Sequence, residues 1–331
     1  MPTSTDVAAF DRRYERLRKS IDAKATAAYR RRKPVSLYEP AVYAMKGGGK
    51  RVRPVVTLLA AEAVGGRAED ATDAAIALEA LHNFTLVHDD IMDNSAMRRG
   101  VPTVHKKYDV ATAVLVGDAM LAVSYEFMLR VEGERGARAA RAFNRGLVEV
   151  CEGQGLDKEF ETRDDVTLRE YIGMIGKKTA ALLEACCRVG AIIGGGTDGE
   201  VEALADYGVN LGLAFQIQDD YLDLFGDEKF GKPIGGDLRE GKKTYLLLSA
   251  LKRAAGSDKK RLERIAHKGG AAKKDIPAIR KLYESLGVPE DAGRAVRRYT
   301  NKALASLDAL SREDGRENFA QLANRLLDRN A

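Results

Sequence analysis

Over most of the chain, apolar residues return at every third and fourth position, the spacing that lays them along one face of a helix. Alanine-rich stretches and only eight prolines favour the same element, and no segment alternates apolar with polar residues for long enough to predict a strand. The pattern predicts an all-α protein, with helices over roughly 5–30, 40–47, 53–64, 70–92, 110–131, 136–158, 166–176, 177–194, 199–225, 240–255, 273–286, 291–308 and 315–328. Turns are expected at the glycines and prolines between them. No repeat is visible, and no Pro, Ser or Gly linker divides the chain, so residues 1–331 are read as one helical-bundle domain.

Two segments depart from the one-sided pattern. Ala74 to Val87, interrupted mainly by Glu79 and His82, and Val209 to Ile217 are apolar nearly all round, as helices in the middle of a bundle are. Each runs directly into aspartates: DDIMD, with Asp89, Asp90 and Asp93, and DDYLD, with Asp219, Asp220 and Asp223. On a helix the first and last aspartate of each cluster share a face, about 6 Å apart along the axis, while the middle one is turned by about 100°. Like charges at that spacing repel, and near the C-terminal end of a buried helix the dipole adds to the penalty, so a cation or a proton has to compensate. Hard oxygen donors select Mg²⁺, Mn²⁺ or Ca²⁺ over zinc.

A single cluster of this kind could equally be a solvated acidic face. With 26 aspartates among 331 residues, chance yields one DDxxD in roughly one such chain in six, and two in on the order of one in a hundred. The pair therefore points to chemistry: two facing clusters would clamp a diphosphate through metal ions and draw charge onto it as it departs.

Composition narrows the setting. With 45% hydrophobic and 31% charged residues the chain is neither disordered nor fibrous. Its net charge of +5 is spread along the sequence, which argues against nucleic acid as a partner. The longest uncharged run, Tyr207 to Gln218, falls short of the roughly 18 apolar residues that span a bilayer, so no membrane span is expected. The N-terminus has no apolar stretch after its charges, so no secretory signal is placed there and a cytoplasmic location is expected. Cys151, Cys186 and Cys187 show no CxxC spacing and are expected to be reduced core residues.

An enzyme that joins two diphosphates needs a second anion site. GGGKRVRP, at Gly47 to Pro54, offers one, with Lys50 and Arg53 three apart on an incipient helix that tolerates Pro54 in its first turn. It is not a Walker A loop, because neither Ser nor Thr follows Lys50 and Ala44 stands where that loop needs glycine. GDEKFGKP and GDLREGKK fail the same test, with Pro233 and Lys243 in place of the hydroxyl.

GGKRVRP, HNFTLVHDDIMD, MRRGVPT, GKKTAAL, FQIQDDYLD, FGKPIGGD and GKKTYLLL, in this order, resemble the trans-isoprenyl diphosphate synthases over nearly the whole chain. The resemblance implies a helical bundle around a central cavity and a 1′-4 condensation. An allylic diphosphate ionises with the help of three Mg²⁺ ions, the double bond of isopentenyl diphosphate attacks the carbocation, and a proton passes to the released diphosphate. It implies Asp89, Asp93 and Asp219 as metal ligands, with Asp90, Asp220 and Asp223 completing the metal site in supporting or water-mediated roles. Arg98, Lys178, Lys232 and Lys242 match cations around the allylic diphosphate, and Lys50, Arg53, His82 and Arg99 match the isopentenyl diphosphate site. Thr179 and Gln216 fall where oxygen dipoles stabilise the developing cation. Arg51 and Lys177 are expected to face outward. A homodimer is the family's expected state.

Several of these residues would be unremarked without the motifs. His82 would be a core histidine, but it lies seven residues before Asp89, on nearly the same helix face. Lys232 and Lys242 sit in a charged connector where solvated lysines are usual, and His88, His105 and His267 are assigned no role. Product length is expected to depend on residues upstream of Asp89, namely Phe84, Thr85 and Leu81. One aromatic at the fifth position before Asp89 and a small residue at the fourth resembles the archaeal geranylgeranyl diphosphate synthases. The rivals are a synthase stopping at farnesyl or passing to longer chains, a terpene cyclase, which has no need of GGKRVRP, and a non-catalytic subunit that binds prenyl diphosphates.

Overall fold

A computed structural model describes residues 4–30, 32–226, 234–267 and 269–327. The chain gathers into two compact units, one from residues 1–147, 182–205 and 307–322 and the other from 148–181, 206–306 and 323–331. Each unit gathers stretches distant in sequence, so no linker marks a boundary.

In the first unit α1 (Ser4–Ala27), α2 (Val35–Lys46), α3 (Val52–Ala63) and α6 (Val110–Met128) pack on α4 (Thr72–Met92). Helix α4 is buried continuously from Ala74 to Leu81 and again at Asn83, Phe84 and Val87, as its all-round apolar sequence requires. Helix α9 (Ala181–Gly194) approaches α3 so closely that a Cβ on Gly190 would lie 2.2 Å from the Thr57 carbonyl oxygen. Beyond α4 the chain forms an unexpected hairpin, β1 (Met97–Arg98) against β2 (Val101–Pro102), with Met97 opposite Pro102. Its two-residue turn, Arg99-Gly100, has positive φ at both positions, the turn that matches strand twist. A short α5 (Val104–Lys107) leads into α6.

By length and composition alone α6 is apolar enough to cross a membrane, with a mean hydropathy of 1.5, as core helices of proteins without a membrane span also are. Asp118 splits its uncharged run, which hid it. It packs along α4 and leaves Val110, Val114 and Leu115 exposed.

Helices α7 (Gly133–Thr162), α10 (Asp198–Phe225) and α16 (Glu313–Leu327) contribute residues to both units. The second unit adds α8 (Leu168–Ile175), a π-helical turn at Gly176–Ala180, α11 (Gly236–Glu240), α12 (Tyr245–Arg253), α13 (Gly256–His267), α14 (Ile276–Ser285) and α15 (Val288–Ser306). Its core includes Tyr171, Ile175, Ile217, Leu224, Leu247 and Ile279.

The helices predicted from the pattern are present, with informative differences at their ends. Helix α2 begins at Val35 and carries Pro40 inside it, where the missing N–H made the proline look like a start. The predicted 240–255 helix begins only at Tyr245, where the Thr244 hydroxyl caps it by accepting from the Leu247 N–H. Helix α13 was not predicted, because only Leu262, Ile265 and Ala266 form its buried stripe among charged neighbours.

Candidate active site

In the first unit the site grows from the C-terminal half of α4 and the start of α3. Arg53 projects from α3 so that Nη1 lies 3.1 Å from His82 Nε2. Burial, then Arg53, Arg99, Arg98 and Arg51, hold His82 well below the usual imidazole range, so it is neutral and its Nε2 accepts from Arg53. The Arg53 Nε is buried without a hydrogen-bond partner. Arg99 donates to the Gly48 carbonyl, and its guanidinium fills the space beside Gly49, where a Cβ would come within 2.6 Å. Lys50 is exposed in the same loop, its carbonyl held by the Tyr14 hydroxyl at 2.7 Å. Lys50, Arg53, His82 and Arg99 are therefore neighbours.

At the end of α4, Asp90 is buried and its Oδ1 accepts from Arg98 Nε at 2.8 Å, while Arg98 Nη2 lies 3.5 Å from Asp89. Burial raises the Asp90 carboxyl and Arg98 opposes that rise. Asp93 is exposed and caps the helix, its N–H donating to the Asp89 carbonyl. The hairpin thus delivers Arg98 to the carboxylates and Arg99 to the glycine loop. A small cavity bordered by Gly47, Asn83, Asp90, Arg98 and Arg99 lies among them.

Arg51 is the main correction. Expected to face outward, it is 4% exposed, at φ +49°. Its guanidinium is bound by Glu79, Asp22 and the Met45 carbonyl. Lys177 does lie at the surface, paired with Glu152. Cys151, expected in the core, is exposed, whereas Cys186 and Cys187 are buried.

Of the chain-length residues, Leu81 is fully buried, and Thr85 is half-buried with its hydroxyl donating to the His82 carbonyl at 2.8 Å. Phe84 is buried and meets His88 edge-on at 4.8 Å. The His88 ring in turn occupies space left by Gly117 of α6, where a Cβ would come within 2.1 Å of Nε2. Phe84 therefore stands over a layer shared with α6.

In the second unit the site forms on α10 and the π-helical turn. Asp220 is buried and accepts three internal hydrogen bonds. Oδ2 accepts from the Tyr171 hydroxyl and from the Tyr245 N–H at 2.9 Å, and Oδ1 accepts from Gln216 at 3.1 Å. Burial pushes its carboxyl up to about 6. The carboxylates of the middle aspartates, Asp90 and Asp220, are thus engaged by Arg98 and by internal hydrogen bonds. Gln216, oriented by Asp220, accepts from the Thr179 hydroxyl at 2.9 Å.

Thr179 and Lys178 lie in the π turn, a feature that recurs at functional sites. Two glycines admit it: a Cβ on Gly153 would fall 2.2 Å from the Lys178 nitrogen, and one on Gly212 would fall 2.6 Å from the Ala180 Cα. Lys178 Nζ donates to Asp157 at 2.6 Å. Asp223 accepts from the Asp237 N–H at 3.1 Å. Burial, then Asp223 and Asp220, push the Asp237 carboxyl up to about 8. Lys242 is paired with Glu240 at 2.9 Å, and Lys232 lies outside the described residues.

Glu79, Asp22, Asp157, Tyr171 and Asp237 were not singled out by sequence. Glu79 had a visible signal, since it interrupts an apolar run, and Asp237 closes the FGKPIGGD motif; the other three had none. The second unit also holds a cavity of about 640 Å³ between α10 and α15, bordered by Gln218, Tyr221, Ala292 and Arg297, which contains none of these carboxylates. The site is located by its chemistry and not by volume.

The donor set suits a hard divalent ion. Among the described residues no three His, Cys, Asp or Glu side chains form a closed metal cage. Mg²⁺ does not need one, because it takes one or two carboxylates and completes its shell with water and substrate phosphates. Asp89, 22% exposed at its side chain, suits that arrangement.

Residues 34–284 match the family model described as polyprenyl synthetase. A short chain isoprenyl diphosphate synthase of Methanothermobacter thermautotrophicus is 42% identical over 298 residues, covering 89% of this chain and 91% of its own. A geranylgeranyl pyrophosphate synthase of Geoglobus acetivorans is 39% identical over 314 residues, 94% of this chain and 96% of its own. The crystal structure of a geranylgeranyl pyrophosphate synthetase from Pyrococcus horikoshii superposes with a TM-score of 0.92 at 39% identity, covering 97% of this chain and 99% of that one.

Proposed function

The chain belongs to the polyprenyl synthetase family, and we propose that it condenses isopentenyl diphosphate with allylic diphosphates, head to tail, to give geranylgeranyl diphosphate. The observation that carries this reading is the division of labour among the side chains. Outer aspartates with hard oxygen donors stand on α4 and α10, and a separate cradle of Lys50, Arg53, Arg99 and a neutral His82 has the chemistry to hold a second diphosphate.

Asp89, Asp93 and Asp219 would hold Mg²⁺, with Asp223 assisting. Bound there, Mg²⁺ supplies the positive charge that makes diphosphate a good leaving group. Lys178 exchanges Asp157 for the allylic diphosphate and Arg98 adds a fork beside Asp89, with Lys232 and Lys242 as further cations. Thr179 and the Gln216 oxygen face the developing carbocation with dipoles, which stabilise it without capturing it as a carboxylate would. The neutral imidazole of His82 leaves the charge of Arg53 for isopentenyl diphosphate. Phe84 limits the chain, with Leu81 and Thr85 beside it. The exposed Val110, Val114 and Leu115 of α6 support a homodimer, working in the cytoplasm.

Product analysis with labelled isopentenyl diphosphate tests the reading: a C20 diphosphate should dominate, and a dominant C15 or longer product refutes the assigned length. Turnover by the purified chain with Mg²⁺ excludes a purely binding subunit, and Asp89→Ala should abolish it.

A further inference from the structure

We propose that Arg51, held by Glu79 and Asp22, is a positioning residue that sets the isopentenyl diphosphate loop, so that α1 takes part in substrate binding without touching substrate. The inference rests on the assignment of Lys50, Arg53, His82 and Arg99 to that diphosphate. Arg51 is the N-cap of α3, the point where the glycine loop becomes helix, and it sits there in the left-handed region. Among the described residues only Asn94 and Arg99 share a positive φ without being glycine, and both also border this half of the site. Such a conformation persists where its surroundings over-determine it.

The surroundings do so through the guanidinium. Nε donates to Asp22 Oδ1 at 2.8 Å and Nη1 to Glu79 Oε1 at 2.6 Å, while Nη2 donates to the Met45 carbonyl and lies 2.6 Å from Asp22. The fork is committed inward, so Arg51 is not a substrate ligand although it lies between two of them. Glu79 Oε1 also accepts from Asn83 at 2.9 Å, which ties the junction to the turn of α4 that carries His82. Asp22, on α1, together with Tyr14 on the Lys50 carbonyl, pins the loop from its other side. Both precede the residues that match the family model. Glu79 additionally favours the charged forms of Arg53 and Arg99. It balances a cluster of arginines that would otherwise repel one another when the site is empty.

Steady-state kinetics on the full chain test this, with both substrates varied separately and thermal unfolding recorded alongside. Arg51→Lys keeps the charge but loses the fork, and should raise the KM for isopentenyl diphosphate about tenfold, with the KM for the allylic substrate changed by less than about twofold. Asp22→Asn, at the half-exposed end of the network, should raise the same KM about threefold with little change in Tm. Glu79→Gln should raise it too, whereas a purely electrostatic role would lower it by removing a negative charge. Arg53→Ala is the control for the underlying assignment: if it leaves the KM for isopentenyl diphosphate unmoved, the site itself is misassigned. If Arg53→Ala raises that KM and the Arg51 and Asp22 variants change only Tm, or raise both KM values alike, the positioning role is overturned.

Discussion

The two units meet the same difficulty, ionisable groups removed from water, in opposite ways. In the first unit four arginines, Arg51, Arg53, Arg98 and Arg99, surround α4, and balance is reached with ion pairs to Glu79, Asp22 and Asp90 and with a histidine kept neutral. In the second unit burial and neighbouring carboxylates raise Asp220 to about 6 and Asp237 to about 8, and Asp220 is also held by hydrogen bonds from Tyr171, Gln216 and the Tyr245 N–H. The first arrangement leaves positive charge ready for an anion. The second holds buried carboxyl groups raised above their ordinary range. Reading net charge alone would have missed this, because +5 over the whole chain averages the two away.

The contrast is broken most strongly by removing a metal ligand. Asp89→Ala should lower turnover by about 10³-fold or more, measured as diphosphate release, since charge stabilisation at the leaving group does most to lower the barrier in such chemistry. A residual rate within tenfold of the wild type would sink the assignment.

Next comes the packing that presents Lys178. Gly153→Ala places a methyl against the Lys178 backbone. It should cost about 1–3 kcal/mol of stability in urea unfolding, together with activity, because backbone cannot yield as a flexible side chain can. Unchanged stability and rate would show that the π turn is not held this way.

The third effect is a pH dependence confined to the second half. In the folded state Asp237 holds its proton up to about pH 8, whereas its ordinary value is 3.8. The native state therefore binds more protons across that window, and the stability of the metal-free protein should fall as pH rises through it. Asp237→Asn should remove that fall and stabilise the metal-free protein at pH 8 by about 1 kcal/mol or more. Denaturant titrations in chelator at pH 5 and pH 8 measure the difference, and parallel curves for the two proteins would contradict it. Mg²⁺ with a diphosphate should flatten the wild-type profile by taking the place of the proton.

What the sequence determined by itself was the local geometry. The helices, the shared face of the outer aspartates and the place of His82 on nearly the same face as Asp89 all follow from bonds and spacings within a few residues, and periodicity records them. Even the two errors at helix starts concerned local signals, Pro40 read too literally as a start and the Thr244 cap passed over. The tertiary structure alone decided which groups carry charge and which are spent. Arg51 meets Glu79 across 28 residues and Asp22 across 29, Asp220 meets Tyr171 across 49, and Lys178 meets Asp157 across 21. A partner that far along the chain leaves no periodic trace, and burial, which sets protonation, exists only once the helices have packed.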